Sequence, residues 1–272
     1  MDHIDRNDDE QRLYFAIRST ILLFIFWIIS KSISVANINF ETEVQFIIID
    51  GLIRAVFALL AILVFGKIIG ANGFKFAFTT KGFKKGMFAH IVMILPTLAV
   101  PFIVLSIPDA YLVFSNVTPW LLPMVIFDIG NAVWEDVLWN GVLMTGMLIT
   151  WSATWGESST VKKRVAFMLI CRFAFGMVHI GGGILHALSA AVFGIIMGAA
   201  YIYSKNLLAC FIVHAVLNYI LRSVFVMFYD TELAGLFVQR FFITNIALGV
   251  IAIPFAIYLT VKAEPFWTLE KK

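Results

Sequence analysis

The sequence predicts an all-α fold, a polytopic membrane bundle of about eight transmembrane helices. Three observations lead there. Of 272 residues, 61% are apolar and only 14% are charged, and the mean hydropathy is +0.93. An ordinary soluble domain has about 45–50% apolar and about 25% charged residues. The apolar residues also fall into long runs rather than alternating faces. Finally, lysine and arginine segregate to the loops on one side of those runs. A soluble enzyme, a disordered chain and a secreted disulfide scaffold are excluded by this balance. The net charge of +3 is too small to suggest a nucleic-acid partner.

A spanning helix needs about 20 residues. Eight stretches meet that need: Arg18–Ala36, Phe46–Ile69, Phe83–Ile107, Thr118–Thr150, Val165–Ile180, Ile184–Tyr203, Leu207–Phe228 and Phe241–Val261. The fourth is too long for one straight crossing, so it is expected to tilt, bend or run along the interface. The residues before the first run are acidic (Asp2, Asp5, Asp8, Asp9, Glu10). They do not form the basic start of a cleavable signal, so the first run reads as a retained anchor.

Of the 20 lysines and arginines, Arg54, Arg172 and Arg222 lie within runs, Lys31 and Arg240 fall on one side, and all the others fall on the opposite side. Positive charge marks the cytoplasmic side. An even number of crossings with both termini in the cytoplasm follows as the expectation. The loop Gly66–Lys85 is basic and rich in phenylalanine, suited to lie against anionic lipid. Cys171 and Cys210 sit singly in apolar runs and read as small core residues. The chain reads as one structural domain. Residues 1–117 hold the first three helices and the basic loop, 118–228 a polar core of four helices, and 229–272 the last helix and tail.

Ionisable side chains within lipid are costly and mark function. Here they are Asp50, Arg54, Asp128, Glu135, Asp136, Arg172, His179, His214 and Arg222. Asp128 and Glu135 are seven apart and share a helix face, as do Arg172 and His179. His214 and Asn218 are four apart, and Arg222 extends that face. Asp50 and Arg54 are spaced to pair within their own helix, which reads as structural. His90 and His186 stand nearer the ends of their runs and read as interfacial. On residue types alone, a polar network gluing helices together and a proton or ion pathway are both open.

Three short motifs narrow the choice. Trp134-Glu135-Asp136-Val137-Leu138-Trp139-Asn140-Gly141 resembles the Glu-Glu-x-x-x-Arg motif of the CAAX-protease and bacteriocin-processing (CPBP, Abi) family of intramembrane proteases. Phe175-Gly176-Met177-Val178-His179 resembles its Phe-x-x-x-His motif, and His214-Ala215-Val216-Leu217-Asn218 its His-x-x-x-Asn motif. Between them, Phe193–Gly198 resembles a small-xxx-small helix of the family, and Lys205-Asn206-Leu207-Leu208 the turn before the last motif. Each motif alone is weak; three in order on three runs form a specific signature covering about 100 residues. Two positions depart from it. Asp136 replaces the second Glu, and Asn140 replaces the Arg, which removes a cation that Arg172 or Arg222 would have to supply. His-Glu-x-x-His, Gly-x-Ser-Gly and Gly-x-Gly-Asp are absent, which argues against the site-2, rhomboid and aspartyl classes.

The resemblance implies an endopeptidase acting on membrane-attached or lipidated peptides, and the compact form of the chain suggests a bacterial plasma membrane. It assigns Glu135 to activate water, His179 to share or relay the proton, and His214 with Asn218 to stabilise the oxyanion. Asp136, Asn140, Phe175 and Arg172 support them. No cofactor is needed in that scheme. In a rival scheme Glu135, His179 and His214 bind a divalent metal such as zinc, leaving a position for water. A non-proteolytic member, such as a bacteriocin self-immunity factor or scaffold, is the alternative that Asn140 favours. A transporter lined by Glu135 and Arg172 is a third.

Overall fold

The computed structural model describes residues 43–68, 78–94, 121–145, 160–228 and 233–264, with 18, 21, 25, 99, 103, 106 and 148 singly. Among these residues the regular secondary structure is all helical. We number seven α-helices: α1 Glu43–Ile68, α2 Phe83–Ile94, α3 Leu121–Asp136, α4 Thr160–Met177, α5 Ile184–Ser204, α6 Leu207–Phe228 and α7 Leu233–Lys262. A π-helix, Val137–Met144, continues α3, and a 3₁₀ turn, Ile180–Gly182, links α4 to α5. The first expected run, Arg18–Ala36, lies outside the described residues apart from three positions.

The other seven runs coincide with helices, although the bundle of about eight crossings is only partly reproduced. Three described helices are long and apolar enough to cross a membrane: Val44–Phe65, Ile184–Ser204 and Gly235–Lys262. They differ in burial. In α5, 67% of the apolar window is buried, against 28% in α1 and 17% in α7. Helix α5 therefore forms the centre, packed by α2, α4 and α7, while α3 lies between α1 and α6. The outer helices turn large apolar side chains outward: Leu52 and Val56 on α1, Phe88 on α2, Leu122 on α3, and Val250 and Ile251 on α7. Helices with apolar exteriors and intrahelical backbone bonding are what a bilayer requires.

Close approaches are set by glycine. A Cβ on Gly51 would lie 2.6 Å from Phe127 Cα, and one on Gly130 would strike the Gly51 carbonyl, so α1 and α3 touch backbone to backbone. At one end of the bundle, Lys205 adopts a left-handed conformation (φ 54°) that ends α5. Its neighbour Asn206 then caps α6, accepting the Ala209 N–H at 2.8 Å. The Asn206 amide also donates to the Thr79 and Lys81 carbonyls, which ties the basic loop to this turn. Arg164 donates to the Ala263 carbonyl nearby at 2.6 Å, and Lys205 faces Glu264 at 3.9 Å. The loops expected on one side thus gather at one end. Cys171 and Cys210 are free and buried, as their settings imply.

Candidate active site

Helix α3 brings its polar face against α6. Asp128 lies buried and accepts from Arg222 Nε at 2.8 Å. Two turns further along, Glu135 and Asp136 flank the His214 ring. Adjacent residues on a helix point about 100° apart, so a single imidazole from α6 fits between their carboxylates. His214 Nδ1 is 3.2 Å from Asp136 Oδ2, and Nε2 is 3.6 Å from Glu135 Oε2. The ring is 4% exposed and tilts against Phe193 of α5. Antiparallel packing explains both contacts: residues seven or eight apart on α3 meet residues eight apart on α6.

Asp136 immediately precedes the π-helix, a local widening that often occurs at functional sites. Its other oxygen, Oδ1, accepts from the Asn140 amide at 2.7 Å. Asn140 Oδ1 in turn accepts from the Arg172 guanidinium on α4. The missing motif cation is therefore supplied by Arg172, through an amide rather than directly, whereas Arg222 is taken by Asp128. All three groups are buried, Asn140 completely and Arg172 to 2% exposure. The π-helix closes with the Thr145 N–H and hydroxyl on the Asn140 carbonyl, and that hydroxyl also meets Tyr201 at 2.6 Å.

The small-xxx-small helix makes room for this guanidinium. A Cβ on Gly198 would lie 2.5 Å from Arg172 Nε, and one on Gly194 would lie 2.9 Å from Phe175 Cδ1 and 3.2 Å from Arg172 Cδ. Phe175 is buried and packs edge-on to Trp139, with ring centroids 5.4 Å apart. A small cavity of about 10 Å³, room for roughly one water, is lined by Glu135, Asp136, Arg172, Phe175, Phe193, Gly194, Met197 and His214.

Five of the eight expected site residues thus line one cavity, Glu135, Asp136, His214, Arg172 and Phe175, and a sixth, Asn140, joins two of them from behind. The remaining two are less closely joined. His179 is half-buried at the end of α4, its Nδ1 2.8 Å from the Phe175 carbonyl and its ring against Phe175. Asn218 is half-buried one turn beyond His214. Among the described residues no three His, Cys, Asp or Glu side chains are grouped to hold a metal ion.

Of the two histidines read as interfacial, one is buried and the other stands near a helix end. His90 is fully buried: α2 packs against both α5 and α6, and Nδ1 bonds the Gly86 carbonyl at 2.7 Å. His186 opens α5, is half-buried between His179 (centroids 5.2 Å) and a stacked Phe242, and lies within electrostatic reach of Glu135. Asn131, one turn before Glu135, donates to Glu135 Oε1 at 3.0 Å. It shares the face of Asp128 and Glu135, a spacing visible in the sequence. The Asp50–Arg54 pair forms as expected, at 2.9 Å.

The class defined by this fold and site is a helical membrane protein with a buried acid–histidine centre. Residues 117–220 match the family model of the type II CAAX prenyl endopeptidase, Rce1-like. The match supports the family resemblance of the motifs, and the matched segment contains every site residue named above from α3 to Asn218. No curated protein and no solved structure matches the chain.

Proposed function

We propose that the chain is an intramembrane endopeptidase of the CAAX type, cleaving membrane-attached or lipidated peptides with a water activated by Glu135. One observation supports the reading above others: His214 is held between two carboxylates beside a cavity the size of a water molecule. Peptide hydrolysis needs an activated water and donors for the oxyanion. With Nδ1–H on Asp136, His214 has a fixed ring orientation and presents Nε2 to the cavity. Glu135 Oε2 takes the proton as the water oxygen attacks the carbonyl carbon. His214 Nε2–H, in the charged ring, and the Asn218 amide donate to the oxyanion. As the C–N bond breaks, the proton passes to the leaving amine, with His179 as a relay, and Glu135 is regenerated. Arg172 offsets the charge of Asp136 through Asn140, so the replacement of the motif arginine is compatible with activity.

The basic ends gathered around Lys205 form the cytoplasmic face in this reading, with both termini on that side of a bacterial plasma membrane. The test is Glu135→Gln in reconstituted liposomes with a farnesylated CAAX peptide. The variant inserts and folds but loses about 10²–10⁴-fold in turnover. Turnover equal to wild type would defeat the assignment. Cleavage that survives chelation with no bound metal separates this chemistry from a zinc scheme. The alternative favoured by Asn140, a family member that binds without cleaving, predicts peptide binding with no product for the wild type as well.

A further inference from the structure

We infer that Arg54 and Asn131 are positioning residues for Glu135, holding its Oε1 as a hydrogen-bond acceptor and presenting Oε2 to His214 and the cavity. The inference rests on the reading of Glu135 as the base. Arg54 stands on α1, outside the matched segment.

The chain of bonds is continuous. Asp50 Oδ2 accepts from Arg54 Nε at 2.9 Å. Arg54 NH1 donates to Asn131 Oδ1 at 2.8 Å, and Asn131 Nδ2 donates to Glu135 Oε1 at 3.0 Å. A guanidinium only donates, so the amide oxygen must face Arg54 and the amide NH₂ must face Glu135. The reverse orientation would set donor against donor at one end and acceptor against acceptor at the other. The polarity of Asn131 is therefore fixed by Arg54.

A consequence follows for Glu135. Its Oε1 faces a donor and can act only as an acceptor. A proton taken up by Glu135 then resides on Oε2, the oxygen 3.6 Å from His214 Nε2. The carboxylate is turned so that its reactive oxygen faces the cavity. The reach of Arg54 depends on the backbone contact of α1 and α3 at Gly51 and Gly130, and Phe127 packs under its guanidinium at 5.4 Å.

A bond chain that only glued the two helices would serve equally well with the donor to Glu135 deleted. Asn131→Asp makes that distinction. It keeps, and strengthens by charge, the bond to Arg54, but sets a second carboxylate against Oε1. Arg54→Met and Arg54→Lys form a second pair, since lysine can still donate to Asn131 Oδ1. The assay measures kcat and KM for a farnesylated CAAX peptide in liposomes. Asn131→Asp and Arg54→Met are expected to lower kcat about 10–100-fold, with KM within about twofold, and Arg54→Lys to recover most of the loss. An Asn131→Asp kcat equal to wild type, beside an inactive Glu135→Gln, overturns the inference and leaves the base assignment standing. An active Glu135→Gln overturns the base assignment itself. A second measurement needs no turnover: labelling of Glu135 by dicyclohexylcarbodiimide, read by mass spectrometry. Removing the donor to Oε1 in Asn131→Asp should speed labelling several-fold, and a rate equal to wild type overturns the inference.

Discussion

Helix α3 carries two buried aspartates, each matched to an arginine, and the two matches are built differently. Asp128 meets Arg222 directly, with Nε at 2.8 Å. Asp136 meets Arg172 only through the amide of Asn140. A direct pair sets the two charges against each other through one carboxylate oxygen, and the Arg222 side chain, 39% exposed, also packs over Phe127. A mediated pair lets the charges offset one another across a neutral group while leaving an oxygen of Asp136 for His214. The direct pair thus holds two helices together, and the mediated one orients a reactive imidazole. One helix face serves two purposes because the cation is brought close at one end and kept one amide away at the other.

Removing Arg172 should break the mediated arrangement most severely. Arg172→Met takes from buried Asp136 the charge that reaches it through Asn140, and losing one partner of a buried charged system costs about 3–5 kcal/mol. Thermal unfolding in detergent reads the loss, and cleavage should fall with it. A variant as stable as wild type would mean that Asp136 does not depend on this cation. Gly198→Ala tests the same system from outside. Its Cβ would lie 2.5 Å from Arg172 Nε and 3.0 Å from Met144 Cε. Overpacking of that kind costs about 1–3 kcal/mol, and the displaced guanidinium should lower kcat with little change in KM. An unchanged kcat would show that the position of Arg172 is not critical.

The two arginines also mark what the sequence discloses. The seven-residue spacing of Asp128 and Glu135, and the run from His214 to Arg222, place both sets of partners on facing stripes. The helices are legible because apolar runs of spanning length have few other uses. The motifs are legible because they combine rare polar residues with fixed spacing. Which arginine serves which aspartate is not legible. It depends on the π-helix at Val137–Met144, which shifts Asn140 relative to an α-helical register, and on the crossing of α4 beside it. The burial of His90 escapes the sequence for a related reason. Hydropathy locates a run but not the face that a neighbouring helix will cover. Asn131 stands on the right face, but a lone amide in a helix carries no motif to mark it.

The direct pair should respond more mildly. Asp128→Asn keeps an oxygen to accept from Arg222 and removes only the charge. Because Arg222 is partly exposed, the loss is about 1 kcal/mol. Cleavage by the Asp128→Asn variant should stay within about twofold of wild type, since uniform activity marks a group outside the reacting set. A large fall in kcat without a fall in stability would join Asp128 to the catalytic group and erase the contrast with Asp136.

The smallest effect is expected far from both pairs, at the basic end. Burial lowers the pKa of Lys205 below the usual lysine value; Lys85, Lys81 and Arg164 lower it further, and Glu264 partly opposes them. A lysine that binds its proton less tightly when folded weakens the fold wherever the unfolded chain is charged. Stability should therefore rise with pH between the lowered folded pKa and the ordinary value near 10.4. Lys205→Met removes that dependence. The difference in unfolding temperature between variant and wild type should shrink as pH rises through this window. A difference that stays constant across it would show that Lys205 gains as much from Glu264 as it loses to burial and its basic neighbours. The comparison of paired charges would then extend to this end of the bundle too.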